Sequence, residues 1–256
     1  MPETGTDNAV YVYGIVPADV ESEPDTHGVG DPPQLVKTVR RGDLAALVSS
    51  ITTDSPLGRP EDLAAHAAVL DRTAAVAPVL PLRFGAVVTD ERSVAEELLA
   101  THHDEFAEAL GELAGKAEYV LKGRYVEEEI LNEILAENSE LSQLREAIRD
   151  KPEDATRNER IVLGEGINNA IAAKRDADTR TMATALADVG SMLNLREPTH
   201  EVDAVHIACL VETARQADLE AAIDRVARGW TGRVEVRLLG PLAPYDFIVT
   251  HTEEQA

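Results

Sequence analysis

The chain has 256 residues, of which 47 are acidic and 24 are basic, so its formal net charge at pH 7 is -23. A surplus of carboxylates of this size repels phosphate backbones and anionic lipid headgroups, which argues against nucleic acids and membrane surfaces as partners. The length and the hydrophobic fraction of 44% are sufficient for two compact domains.

Cysteine usage and the apolar runs of the chain bear on where the protein acts. The N-terminal residues are polar and lack the basic and apolar regions of a signal peptide. The sequence contains no apolar run of about 18 residues, the length that a membrane-spanning helix needs. Cys209 is the single cysteine and lies in the apolar run IACLV, which predicts a buried structural thiol. We therefore expect a cytoplasmic protein without direct membrane insertion.

The first half of the chain predicts a sheet. Residues 10–16 are rich in β-branched and aromatic side chains and predict a central strand with two apolar faces. Residues 35–39 and 44–51 flank an Arg-Arg-Gly-Asp turn and predict a β-hairpin. A strand predicted at 79–85 is interrupted by Pro81, which places this proline at an edge, a bulge or a strand end.

Two helices are predicted around this last strand. The first begins at Pro60 and ends before Pro78, and the second is capped by Asp90. Apolar residues at helical spacing indicate the buried face of each helix. These residues are Leu63, Ala67, Leu70 and Ala74 in the first helix, and Val94, Leu98, Phe106, Leu110 and Leu113 in the second.

The second half of the chain combines strands with long helices. Residues 118–125 predict a strand. Two helices separated by a Lys-Pro-Glu-Asp break then predict a helical hairpin over about residues 127–195, with the second helix starting near residue 157. The remaining predicted elements are a strand at 204–211, a helix at 218–228 and a strand at 234–239.

This order of elements predicts an α+β fold with two domains. Residues 1–115 are expected to form an N-terminal modified ferredoxin-like unit, in which helices cover one face of the sheet. Residues 116–256 are expected to form a C-terminal α+β unit with the long helical hairpin inserted.

The histidines and glycines do not form a recognisable catalytic or metal-binding motif. His102 and His103 are predicted within a helix, where neighbouring residues point about 100° apart and cannot present two ligands in one direction. His200 and His206 lack a third ligand close in sequence. The Gly-Glu-Gly step at 164–166 lacks the lysine of a phosphate-binding loop. We therefore predict no enzyme activity, no metal site and no cofactor.

Trp230 is the only tryptophan and follows the predicted helix at 218–228. A tryptophan at such a turn either closes a hydrophobic core or anchors a partner protein. Core closure is the interpretation we favour, and a partner anchor is the alternative.

Three segments resemble the gas vesicle protein F/L family. The first, YVYGIV at 11–16, is similar to the family's opening YxYGI strand. The second, PVLPLRFG at 78–85, is similar to its V-x-P-[ML]-x-F-G strand, and the third, LGPLAPYDF at 239–247, is similar to its terminal GPWPPYxF signature. The matched family-motif positions are Gly14, Pro81, Gly85, Gly240, Pro241, Pro244, Tyr245 and Phe247.

The resemblance implies both a fold and a role. It implies a ferredoxin-like N-terminal unit followed by an α+β unit with long helices, and a non-enzymatic accessory role in building the gas vesicle, the hollow protein shell that gives buoyancy. The implied partners are the major gas vesicle shell protein and other accessory proteins. The terminal signature departs from the family at Leu242 and Ala243, where tryptophan and proline are common. The choice between F and L types stays open.

The apolar N-terminal sheet is the surface we expect to bind a partner. A shell subunit with large apolar faces would aggregate before assembly, and a soluble acidic protein that covers those faces would prevent this. The residues expected at this surface are Tyr11, Tyr13, Arg83 and Phe84. Coverage of the same sheet by the second domain or by the C-terminal tail is the alternative.

Two other functions stay open on the sequence alone. A ligand-sensing or enzymatic ferredoxin-like protein is favoured if His66, His206 and carboxylates converge in one pocket, because one fold hosts many functions. A purely structural minor component of the vesicle wall is favoured if the protein stays in washed vesicles.

Overall fold

A computed structural model of the protein describes residues 8–52, 57–190 and 192–248. It has an α+β fold in which the strands form two antiparallel sheets, and this confirms the predicted fold class. The polar N-terminal tail that the sequence predicts lies outside the described residues. No helix in the described ranges is long and apolar enough to span a membrane.

By its internal contacts the chain divides into two compact units. The first unit comprises residues 1–119 together with 240–256, and the second comprises residues 120–239. The first unit therefore contains every family-motif position. A domain boundary at residues 115 and 116 stays a prediction.

Five strands form the first sheet. They are β1 Asn8–Pro17, β2 Lys37–Arg41, β3 Leu44–Thr52, β4 Leu80–Pro81 and β5 Val87–Val88. The spatial order is β2-β3-β1-β4, and β5 also pairs with β1. Strand β1 pairs with β3 along its whole length, from Asn8 opposite Thr52 to Pro17 opposite Leu44. The predicted central strand and hairpin are confirmed.

The segment predicted as one strand at 79–85 forms two short strands instead. Gly14 lies opposite Pro81 in β4, and Tyr11 lies opposite Val87 in β5, so both strands pair with β1 at different points. Gly85 between them has a φ of 92°, a left-handed conformation that favours glycine. The chain turns there, and Pro81 lies at the end of a strand and at the sheet edge, which are two of the three positions predicted for it.

The helices of the first unit begin where the sequence predicted, but the second predicted helix is divided into three segments. They are α1 Pro60–Ala74, α2 Glu91–Ser93, a π-helix Val94–Leu99 and α3 His103–Leu113. Asp90 caps α2, because its Oδ1 accepts a hydrogen bond from the Ser93 N–H at 2.7 Å. The single second helix is a wrong prediction, since the π-helix interrupts it.

The π-helix changes which residues face the core. The Ala100 N–H donates to the Ala95 carbonyl oxygen, an i to i−5 bond that adds a residue to the turn. Leu99 is thereby fully buried, whereas the predicted Leu98 is only half-buried. In α1, Leu63 is 50% exposed, so its predicted burial is also wrong.

Helices cover both faces of the first sheet, in place of the single helical layer that we expected. Tyr11 and Tyr13 of β1 belong to one buried cluster with Val69 and Leu70 of α1. Val12 points to the opposite face and is also buried. The π-helix contacts β2 and β3, and α3 contacts β1. The second apolar face that the sequence predicted is therefore covered by this helical segment.

Four strands form the second sheet, in the order β7-β8-β6-β9. They are β6 Lys116–Tyr125, β7 Met192–Leu195, β8 Asp203–Glu212 and β9 Val234–Leu242. Strand β7 was not predicted. The thiol of Cys209 is buried in β8, as predicted. Trp230 is 8% exposed, which confirms core closure.

The long helical region of the second unit is shorter and more divided than predicted, whereas the last helix extends slightly beyond its predicted bounds of 218–228. They are α4 Glu127–Glu137, α5 Ser139–Ile148, α6 Arg157–Ala187 and α7 Gln216–Gly229. A single helix before the predicted break is wrong, because Asn138 ends α4 and caps α5 by accepting from the N–H groups of Glu140 and Leu141. The long helical region also ends at Ala187, since β7 occupies the residues predicted as its last turn.

A partly buried charge network, with Asp178 as its buried member, ties α4 and α6 to the second sheet. Arg233, just before β9, pairs with Glu133 of α4 at 2.6 Å and with Asp178 of α6 at 2.8 Å. Tyr125 at the end of β6 donates to Asp178 at 2.6 Å, and Lys174 of α6 pairs with Glu133 at 2.5 Å. Breaking such a pair on one side leaves an uncompensated buried charge.

We expect Asp178→Ala to lower the free energy of unfolding by about 3 kcal/mol, because Arg233 and the Tyr125 hydroxyl both lose an acceptor in a buried site. Urea unfolding followed by circular dichroism measures this change. Asp176→Ala is the matched control, because Asp176 is exposed on the same helix and should change stability by less than about 0.5 kcal/mol. Equal effects of the two substitutions would contradict a structural role of the network.

Candidate partner-binding groove

An aromatic cluster in the first unit brings the N-terminal and C-terminal family motifs together. The rings of Tyr11 and Tyr13 in β1 lie 4.8 Å apart, and Phe84 lies 5.9 Å from Tyr11. His66 of α1 lies 5.7 Å from both tyrosines and 6.3 Å from Tyr245. Segments that are distant in the sequence therefore meet around one histidine.

His66 links two tyrosines by hydrogen bonds. Its Nδ1 lies 2.9 Å from the Tyr11 hydroxyl, and its Nε2 lies 2.7 Å from the Tyr245 hydroxyl. The Gly85 N–H donates to the Tyr11 oxygen at 3.1 Å. All groups are satisfied if Tyr11 donates to Nδ1 and the Nε2–H donates to Tyr245, which is a neutral imidazole. We refer to Tyr11, His66 and Tyr245 as the tyrosine–histidine chain.

Burial keeps every member of this chain in its neutral form. It lowers the pKa of His66, because desolvation disfavours the imidazolium. Burial also raises the pKa of Tyr11 to about 12, since a phenolate would be poorly solvated there. The pKa of Tyr245 is raised for the same reason. The chain is therefore a set of neutral hydrogen bonds at neutral pH.

The lowered pKa of His66 predicts a pH dependence of stability. In the unfolded chain the imidazole of His66 is protonated near pH 6.5, whereas in the folded chain it is protonated only at a lower pH. Between these two pH values the unfolded state therefore binds more protons than the folded state. The stabilising contribution is complete above about pH 6.5 and is lost as the pH falls. When the pH is lowered from about 7.5 to about 5.5, the free energy of unfolding should decrease more for the wild-type protein than for the His66→Gln variant.

His103→Gln is the control for this measurement by urea unfolding. Hydrogen bonds to Asp104 and Asp43 raise the pKa of the exposed His103, so its contribution has the opposite sign and is lost as the pH rises. The free energy of unfolding of the His103→Gln variant should therefore decrease more steeply than that of the wild type as the pH is lowered. Identical pH profiles for wild type and His66→Gln would contradict the neutral chain.

Tyr13 holds a neighbouring loop against the sheet. Its hydroxyl lies 2.8 Å from the Ser49 Oγ of β3 and accepts a hydrogen bond from the Val29 N–H at 2.8 Å. Both Ser49 and Val29 are buried. The Tyr13 hydroxyl is therefore the acceptor for a buried backbone N–H in a loop without regular secondary structure.

We expect Tyr13→Phe to lower the free energy of unfolding by about 1–3 kcal/mol, because it leaves the buried Val29 N–H without an acceptor. Thermal and urea unfolding measure this loss. Ser49→Ala is the comparison, because it removes one hydrogen bond and keeps the one to Val29, so its effect should be smaller. A larger effect of Ser49→Ala would show that the loop contact is unimportant.

The C-terminal motif is held in the first unit by its backbone. The Ala243 N–H donates to the Asp71 carboxylate of α1 at 2.9 Å, and the Asp246 N–H donates to Glu118 of β6 at 3.0 Å. Gly240 has no room for a side chain, because a Cβ would lie 2.6 Å from the Tyr119 ring. These contacts fix the position of Tyr245 and of the residues that follow it.

Beside the tyrosine–histidine chain lies an open groove of about 620 Å³. Its apolar lining comes from β4, α3 and the C-terminal motif, and α3 also contributes a row of carboxylates. The apolar and aromatic lining residues are Leu80, Pro81, Leu82, Phe106, Ala109, Leu113, Tyr245, Phe247 and Ile248, and the charged ones are Arg83, Glu105, Glu108 and Glu112. A groove of this size and composition suits side chains of another protein.

The structure separates the four predicted partner-binding residues into two pairs. Tyr11 and Tyr13 are fully buried, so they support the groove from within and do not reach its surface. Arg83 is exposed and lines the groove, and Phe84 is half-buried beside Tyr11. Partner binding by any of the four stays a prediction.

The family-motif residues converge more closely than sequence reasoning predicted. Gly14 lies opposite Pro81, and Gly85 donates to Tyr11. Tyr245 bonds to His66, and Phe247 lines the groove with Pro81. Sequence reasoning did not identify the carboxylates of α3 as part of this site, although their i, i+3, i+7 spacing was visible in the sequence.

The two histidines of the predicted alternative pocket, His66 and His206, belong to different units. His66 belongs to the first unit and is bonded to two tyrosines, whereas His206 belongs to the second and lies 3.1 Å from the Glu197 carbonyl oxygen. Within the described part of the chain, no group of three or more His, Cys, Asp or Glu side chains is arranged to hold a metal ion.

The fold is similar to two crystal structures of gas vesicle protein GvpF. The structure from Anabaena sp. PCC7120 matches with a TM-score of 0.77 and 22% sequence identity, over 95% of this chain and 100% of that chain. The structure from Microcystis aeruginosa matches with a TM-score of 0.71 and 22% identity, over 93% and 98% of the two chains. The fold class is therefore that of GvpF.

Sequence comparison gives the family. The profile described as "Gas vesicle synthesis protein GvpL/GvpF" matches residues 9–249. Gas vesicle protein F of Streptomyces sp. (strain CB03234) is 35% identical over 245 residues, which are 94% of this chain and 99% of that protein. Gas vesicle protein L of the same organism is 30% identical over 266 residues, 94% of this chain and 93% of that protein. The chain belongs to the GvpL/GvpF family of gas vesicle synthesis proteins.

Proposed function

We propose that this chain is a gas vesicle assembly protein that binds the major shell protein and other accessory proteins while the vesicle forms. Membership of the GvpL/GvpF family supports a role in gas vesicles. The observation that carries the proposal to protein binding is the open apolar groove, which the second and third family motifs line and the buried tyrosines of the first motif support. The protein acts in the cytoplasm, in association with gas vesicles.

The groove provides a place for an apolar face of a shell subunit before that face is buried in the vesicle wall. Phe247 and Leu82 are half-buried in the groove, and Tyr245 at its side is 39% exposed. Covering apolar surface in this way removes the driving force for premature aggregation. The net charge of -23 keeps such a complex dispersed.

A non-enzymatic role agrees with the chemistry of the site. His66, which is bonded to Tyr245 at the side of the groove, has a tyrosine hydroxyl at hydrogen-bond distance from each of its nitrogens. Burial favours its neutral form and raises the pKa of Tyr11 and Tyr245, so these groups serve as structural hydrogen-bond partners.

The test is co-expression of this chain with the major gas vesicle shell protein, followed by affinity purification. Wild-type protein should retain the shell protein and increase its soluble fraction. Phe247→Asp should lower the recovered shell protein by about tenfold or more, because a charge in an apolar contact is strongly unfavourable. Met192→Asp is the matched control, since Met192 is an exposed apolar residue of the second unit.

Circular dichroism verifies that both variants are folded. Equal recovery with Phe247→Asp and wild type would show that the groove is not the binding site. Absence of shell protein with wild type would overturn the shell-binding proposal, and contacts with other accessory proteins would then be tested in the same way. Measuring whether the protein stays in washed vesicles separates a retained wall component from a transient assembly factor.

A further inference from the structure

The α3 wall of the groove carries a regular row of negative charge. Glu105, Glu108 and Glu112 are exposed and line the groove together. Their spacing places them on one face of α3, separated by about 4.5 Å and 6 Å along the helix axis. Glu105 also lies 3.4 Å from His102. Among the described residues, the side chains of Glu108 and Glu112 form no ion pair.

An apolar strip runs beside this acidic row. Ala109 of α3, Leu82 after β4 and Phe247 of the C-terminal motif contribute half-buried surface to it, and the buried Phe106 and Leu113 lie beneath. Apolar surface bordered by a single row of carboxylates is complementary to an amphipathic segment with apolar residues and a row of lysines or arginines. Buried apolar contacts would supply affinity, and the charges would supply selectivity and speed of association.

The opposite wall disfavours an extended segment as the ligand. The backbone N–H of Leu82 donates to the Tyr13 carbonyl oxygen and therefore points toward β1. The backbone nitrogen of the adjacent Pro81 points away from β1, toward the side where a strand could be added. Pro81 has no N–H to offer to an added strand. Side chains on one face of an extended segment would recur about every 6.6 Å, which fits the acidic row less well than helical spacing.

We infer that the groove binds an amphipathic helix of a partner protein, with basic residues at i, i+3 or i+4, and i+7 along one edge of its apolar face. This inference rests on the proposed function and names the recognition element of the partner. Arg83 on the strand side gives the second wall the opposite charge. A helix with its basic residues on one edge therefore docks in one orientation.

The test uses a synthetic helical peptide of about 18 residues with a leucine face and a lysine row, and a second peptide with glutamates in place of the lysines. Fluorescence anisotropy measures the binding of both peptides to the full chain. The lysine peptide should bind at least about tenfold more tightly than the glutamate peptide. Its affinity should decrease as salt is added.

The triple variant E105Q/E108Q/E112Q should weaken binding of the lysine peptide about tenfold and reduce its salt dependence. The control variant E165Q/D176N/D224N removes the same number of charges from exposed helical positions of the second unit. It should change the affinity by less than about twofold. Circular dichroism verifies that both variants are folded.

Three results would overturn the inference. Equal losses in the two variants would show attraction by net charge alone, and an unchanged affinity in the E105Q/E108Q/E112Q variant would exclude the acidic row. Binding only by a chain that ends at Ile248 would show that the chain's own last residues occupy the groove. Selective peptide binding by a chain that fails to retain shell protein would support this inference while overturning the proposed shell-binding function.

Discussion

The tyrosine–histidine chain is the constraint on which the architecture of the first unit depends. His66 is bonded to Tyr11, 55 residues away, and to Tyr245, 179 residues away. Because buried polar atoms need partners, strand β1, helix α1 and the C-terminal motif have to be in place together. The neutral state of His66 is part of this constraint, since an imidazolium would require both tyrosine oxygens to accept.

The groove is a consequence of that convergence. Its lining is contributed by β4, by α3 and by residues 245–248, so it exists only when the last part of the chain has joined the first unit. The C-terminal motif is packed into the core, since Ala243 belongs to the same buried cluster as Tyr11 and Tyr13 of β1. Partner binding at the groove would therefore report on a completely folded first unit.

Charge serves two different purposes in the two units. In the second unit, Glu133 and Asp178 are compensated by Arg233 and Lys174, which fix helices against the sheet in a partly buried setting. In the first unit, the carboxylates of α3 stay exposed beside apolar surface. Paired charges hold elements of structure together, whereas exposed charges beside apolar surface are free to meet the charges of another molecule.

The sequence by itself determined the family, the α+β class and most local elements. The signals for these elements, such as the composition of β1, the proline at the start of α1 and the Asp90 cap, each depend on only a few neighbouring residues. Sequence reasoning missed the local cap by which Asn138 divides a helix. Only the tertiary structure decided that a π-helix moves Leu99 into the core and that Tyr11 is buried beneath a groove. These outcomes depend on contacts between residues far apart in the chain, which leave no periodic pattern in the sequence.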